Sequence, residues 1–189
     1  MFDYDPKTKR QSAEWHTKSY RPKKARMSRS RVKTTIIVFF DSLGIVHKEF
    51  VPPEQTVNHA FYKDVLVRLR KWVQRVRTGI ADDWVLHHDN APAHTALSIL
   101  EFLAKKNILV LPHPPYSPDL APGDFYLLPK LKSKLKVHHF GTMANIQKTV
   151  TGELHTLTEN DFQYCYDQCK KRWNNCVTSQ WSCFEGDNL

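Results

Sequence analysis

Cysteine is scarce in this chain. Four residues in 189 are too few to staple a small fold with disulfides. Long apolar runs are also lacking. The longest, Thr35 to Phe40 and its neighbours, falls far short of a membrane span, so no membrane partner is expected. No charged-then-apolar leader with a small-residue cleavage site opens the chain, and secretion is not expected. There is no internal repeat and no low-complexity tract. Acidic residues are nearly missing from residues 1–33, which hold three acids (Asp3, Asp5 and Glu14) against eleven basic groups. That stretch therefore carries almost all of the formal net charge of +9. What is present in quantity is core-forming material. At 41% hydrophobic and 12% aromatic residues, disorder throughout is excluded. The length suits one domain.

The basic block suits a polyanionic partner, with phosphates the usual case. Arg21, Lys23, Lys24, Arg26, Arg29 and Arg31 are the candidate DNA-binding residues. Such contacts give affinity with little sequence specificity. A solvated tail or a nuclear-import signal are the other readings of the same residues. Trp15, His16 and Tyr20 are interleaved with the cations, either to stack on unpaired bases or to pack a local hairpin.

Residues 1–32 read as a short basic hairpin followed by a loop. From 33 onward the pattern changes. Lys33 to Asp41 (KTTIIVFFD) is rich in β-branched and aromatic residues and reads as a strand. Ser42-Leu43-Gly44 turns it, and Ile45 to Val51 returns antiparallel until Pro52-Pro53. Asn58 is placed to cap a helix reaching about Arg77, with Phe61, Val65, Leu69, Trp72, Val73 and Val76 at helical spacing. Asp83 to His88 reads as a short strand, and Thr95 to Lys106 as a helix with Leu97, Leu100 and Leu103 or Phe102 inward. Ile108 to Leu111 is a further strand. A proline-rich loop follows, and a helix is expected to start near Pro122. Two more helices are expected. One, from Met143 to Leu157, follows Thr142; the other, capped by Thr158, carries Phe162, Cys165, Cys169, Trp173 and Cys176 on one stripe. On that stripe the cysteines read as small core hydrophobes. Strands alternating with helices imply parallel strands joined by crossovers, so the fold class is α/β, a mixed sheet flanked by helices.

Two segments carry candidate chemistry. His87-His88-Asp89-Asn90-Ala91-Pro92-Ala93-His94 directly follows a strand, at the carboxyl edge where ligands of open α/β sheets bind. Tyr116-Ser117-Pro118-Asp119-Leu120-Ala121-Pro122-Gly123-Asp124 sets a second carboxylate in the first turn of a helix, after the next strand. Paired carboxylates are hard oxygen donors that suit Mg²⁺ or Mn²⁺ and phosphodiester chemistry. Taken singly, Asp89 also fits a turn residue, and Asp124 fits a favourable charge at a helix N-terminus. Asn90 and His94 read as site-edge residues. A zinc site built from His87, His88, Asp89 and His94 is disfavoured, because adjacent strand residues point to opposite faces.

HHDNAPAH followed by YSPDLAPGDFYLLPKLK resembles the catalytic domain of mariner-family transposases, with YDPKTKRQS near the start and FEGDN at the finish extending the likeness over the chain. The 34 residues between Asp89 and Asp124 match the separation of the family's second and third catalytic aspartates. The resemblance implies an RNase H-like fold over 33–189, metal-dependent DNA cleavage and strand transfer with Asp89 and Asp124 as catalytic and metal-binding residues, DNA as partner, a homodimer, and a nuclear location. In this family the first catalytic aspartate belongs to a GDE-x-W motif eight residues before the Asp of YDP. Asp5 is that Asp here, so the motif falls ahead of Met1, the first central strand is expected to be truncated, and activity to be impaired. Asp3 would lie about 20 Å too far along the strand to substitute. The alternative is a non-catalytic nucleic-acid-binding or interaction module derived from a transposase.

Overall fold

The computed structural model describes residues 2–4, 27–29, 34–136 and 140–179. The strand β1 (Phe2–Tyr4) pairs antiparallel with β2 (Met27–Arg29), Asp3 facing Ser28. Next come β3 (Ile36–Asp41) and β4 (Gly44–Phe50), an antiparallel hairpin with a register shift between Phe39 and Phe40. The turn is pinned by Asp41, whose Oδ1 accepts from the amides of Leu43 at 2.9 Å and Gly44 at 3.0 Å. Gly44 has φ +143°, a backbone that L side chains rarely adopt, so glycine is required there.

Helix α1 (His59–Val76) starts where Asn58 accepts from the amide of Phe61. Strand β5 (Val85–His87) follows, then a four-residue helix α2 (Pro92–Thr95), helix α3 (Leu97–Lys105) and strand β6 (Leu109–Leu111). β5 and β6 pair in parallel, Val85 with Leu109 and His87 with Leu111. This is the crossover that the strand–helix–strand pattern predicts. A wide turn over Gly123–Leu127 then leads into α4 (Leu128–Leu135). The expected single helix from Pro122 is thus divided; Pro129 brings no N–H to the i−4 ladder where the regular helix begins. α5 (Met143–His155) and α6 (Glu159–Thr178) complete the described fold, capped by Thr142 and Thr158 as expected.

The β3–β4 hairpin separates two apolar clusters because its side chains alternate between faces. Phe39 and Val46 pack on one side, against a cluster of Tyr62, Leu66, Leu69 and Val73 from α1 with Leu86, Ile99, Leu103 and Ile108. Ile36, Val38 and Phe40 pack on the other, against Leu127 and Leu131 with Ile146, Val150 and Leu154 of α5. Helices therefore cover both faces of a mixed α/β arrangement. Among the described residues the strands form three two-stranded ladders, and no helix is long and apolar enough to cross a membrane.

Two predicted faces need correction. Leu97 and Leu100 are exposed, at 72% and 49%, while Ile99 and Leu103 are buried. Ile99 and Leu103 are the pair that meets Tyr62, Leu66, Leu86 and Ile108 in the core, so packing against α1 and the strands sets the buried face. In α1, Trp72 and Val76 are each 40% exposed, and Tyr62 and Leu66 take the buried positions instead. On α6, Cys165 is buried with Phe162, and burial pushes its thiol up to about 11, the behaviour of a packed, unreactive cysteine. Cys169 and Cys176 are half-buried.

Candidate active site

The parallel pairing of β5 and β6 brings two loops to one edge, where two contacts join them and a third packs α6 against the same place. The His87 Nε2 lies 3.1 Å from Nδ1 of His113. The side-chain amide of Asn90 donates to the His113 carbonyl at 2.7 Å. Trp173 of α6 meets the His87 ring edge-on at 6.3 Å. Its neighbour Arg172 reaches the second loop, with its guanidinium 4.5 Å from the Phe125 ring centre and Nη1 donating to the Asp119 carbonyl. α6 thus touches both the end of β5 that leads to Asp89 and the residues that flank Asp124.

Asp89 stands two residues beyond β5, with its side chain 60% exposed. Its Oδ1 accepts from the amide of Ala91 at 3.0 Å and faces Nδ1 of His94 at 2.6 Å. Partial burial pushes the acid up, but it is outweighed by the Ala91 amide, by the charge and hydrogen bond of His94 and by the charge of His88. The net effect holds it below the usual carboxylate range, so it is ionised at neutral pH. Asp124 is exposed at the start of the Gly123–Leu127 turn, its amide bonded to the Ala121 carbonyl.

His87 and His88 diverge as strand alternation predicts. His87 turns to His113 and Trp173, and burial followed by the charge of His113 lowers its pKa. His88 turns to Tyr62 and His94. Burial, chiefly, with the charge of His94 pushes it down to about 4, against the pull of Asp89. It is therefore neutral, and its Nδ1 is hydrogen-bonded to the Tyr62 hydroxyl at 2.9 Å. The Tyr62 phenol is itself held well above its ordinary value by burial and by the charge of Asp89.

The two carboxylates are the right donors for a hard divalent ion. Both are exposed, the surroundings of Asp89 favour its anion, and Asp89 has its second oxygen without a partner among the described residues. Among those residues no group of three or more His, Cys, Asp or Glu side chains is placed to hold one ion. Asn90 contacts His113 and His94 contacts Asp89 at this edge. The expected DNA-binding residues Arg21, Lys23, Lys24, Arg26 and Arg31 lie outside the described residues, as do Trp15, His16 and Tyr20, and of Arg29 only its place in β2 is described. Sequence reasoning missed Tyr62 and His113. His113 had a signal: it follows Leu111 by two residues as Asp89 follows His87, and those two strand ends are paired.

A family model described as a transposase with a partial DDE domain matches residues 5–82. The mariner Mos1 transposase of Drosophila mauritiana is 33% identical over 159 residues, covering 82% of this chain and 46% of that protein. The chain therefore spans under half the length of this curated relative. The Mos1 catalytic domain solved with raltegravir and Mg is 32% identical, with a TM-score of 0.76 over 80% of this chain and 77% of that one; it was also solved with Mn. A pre-cleavage Mos1 transpososome matches at 28% identity and a TM-score of 0.82, covering 98% of this chain and 54% of that one.

Proposed function

The chain belongs to the mariner family of transposases and carries their catalytic domain, and on that premise we propose that it binds DNA and serves metal-dependent cleavage and transfer of DNA strands. The observation that carries this reading is the β5–β6 edge: an exposed, ionised Asp89 just beyond β5, with α6 touching both His87 at the end of β5 and the Asp119 and Phe125 positions that flank Asp124. Asp89 and Asp124 would hold Mg²⁺ or Mn²⁺. The chemistry such a pair of ions supplies is activation of the attacking oxygen and stabilisation of the leaving oxygen. The chain's own residues do the rest. Asp89 stays anionic without a proton to shed, and Asn90 ties its loop to the segment that follows β6. The basic stretch from Arg21 to Arg31 neutralises backbone phosphates of the bound DNA.

Support for DNA and for a dimer comes from the relatives, since Mos1 has been solved as a transpososome, a paired-end complex and a strand transfer complex. A nuclear location follows from the reading, because the substrate is there. The family resemblance implies a third catalytic carboxylate beside Asp89 and Asp124, in a GDE-x-W motif that the 189 residues do not contain; on that reading the polypeptide assayed alone nicks DNA weakly. The test is a supercoiled-plasmid nicking assay in Mn²⁺. Metal-dependent nicking that disappears in Asp89→Ala supports the proposal. Nicking that survives Asp89→Ala overturns it. Salt-sensitive DNA binding with no nicking, even when the polypeptide is extended upstream by a strand bearing GDE-x-W, would favour the non-catalytic module.

A further inference from the structure

We infer that His94 is a positioning residue that fixes the Asp89 carboxylate in one orientation, its Oδ1 held by the imidazole and its Oδ2 left for the ligand. The inference rests on the reading of Asp89 as a metal ligand. It begins with the exposure of Asp89. A carboxylate 60% exposed and tied only to one backbone amide would turn freely about its side-chain bonds. Here Oδ1 takes a second bond, from Nδ1 of His94 at 2.6 Å. A carboxylate can only accept, so Nδ1 carries the proton in either protonation state of the ring. The short helix α2 makes this return contact possible. Pro92 sets the first turn, and His94, five residues after Asp89, swings back over it.

The imidazole is itself clamped. Its ring centre lies 4.0 Å from that of Tyr62, and it stacks on His88 at 5.0 Å with an interplanar angle of 3°. Tyr62 is 2% exposed and belongs to the α1 cluster with Leu66, Leu69 and Val73. Its hydroxyl lies 2.9 Å from Nδ1 of His88, so the two rings that contact His94 are hydrogen-bonded to one another. A continuous chain of packed groups thus runs from the core through Tyr62 and His94 to Asp89, drawn from α1, the end of β5 and α2. Outer partners of this kind set ligand orientation, and their loss typically weakens metal binding by about 10–100-fold.

Two measurements on the full 189-residue chain test this. Long-range ¹H–¹⁵N NMR of the histidine rings is predicted to show His94 protonated at Nδ1, with that signal displaced in Asp89→Asn. A His94 found with a bare Nδ1 overturns the inference whether or not metal binds. Mn²⁺ binding, followed by electron paramagnetic resonance, is then compared among variants that retain a cooperative melt. His94→Ala is expected to weaken binding by about 10–100-fold, and His94→Asn, whose amide nitrogen stands near the place of Nδ1, to recover most of it. His94→Ala binding Mn²⁺ like the parent overturns the inference. A parent that binds no Mn²⁺ while His94 keeps its Nδ1 proton beside Asp89 supports the orienting bond and overturns instead the metal reading of the site.

Discussion

Single side chains in this chain bear loads that their neighbours decide. Asp161 illustrates it away from the site. Its carboxylate accepts from Lys130 and from the Thr158 amide, closing the capping box of α6 and tying that helix to α4. The Lys130 hydrogen bond, then the Thr158 amide, hold its pKa far below the ordinary value, against a small opposing effect of burial. A depressed carboxylate contributes stability that is complete above its unfolded pKa of about 4 and is lost as pH falls through the folded value. Asp161→Ala is therefore expected to cost about 1 kcal/mol at neutral pH. The gap between variant and parent should narrow as acid is added below about pH 4. Urea melts of both proteins at pH 7 and pH 3 would check the sign. Asp89 differs in kind: its anionic form is favoured at an exposed edge, where helix capping does not require it.

Elements were legible where a cap and a period agreed. Asn58, Thr142 and Thr158 each start a helix as their side chains foretell, and the Asp41–Gly44 turn sits between the two strands read there. The α3 face was not legible. Leucines at 97, 100 and 103 offer one apolar stripe and Ile99 with Leu103 another, and only packing against α1 and the strands decides between them. Ile99→Ala is expected to cost about 2–5 kcal/mol, as a buried large-to-small change. Leu97→Ser should stay within about 0.5 kcal/mol. Thermal melts of the two variants give the comparison; equal losses would contradict the assigned face. The site was half legible for a similar reason. Asp89, Asn90 and His94 are close in sequence, whereas Tyr62 reaches them from α1 and His113 from the end of β6, contacts that only the packing reveals.

At the scale of the whole molecule, charge and chemistry are separated along the chain. Almost all of the net positive charge sits in the first 33 positions, and the candidate carboxylates stand on the β5–β6 edge and the turn that follows it. That division suits a domain that holds a polyanion with one region and reacts it at another. The account depends most on Asp89 and Asp124 acting as one divalent-metal site within a folded domain. The direct measurement is a thermal melt of the 189-residue chain with and without Mn²⁺, beside an Asp89→Asn/Asp124→Asn variant. Binding to the native state alone must raise the midpoint. The account predicts a cooperative melt that Mn²⁺ shifts upward by a few degrees in the parent and leaves unmoved in the variant. A cooperative melt indifferent to Mn²⁺ in both proteins, or raised equally in both, would contradict it.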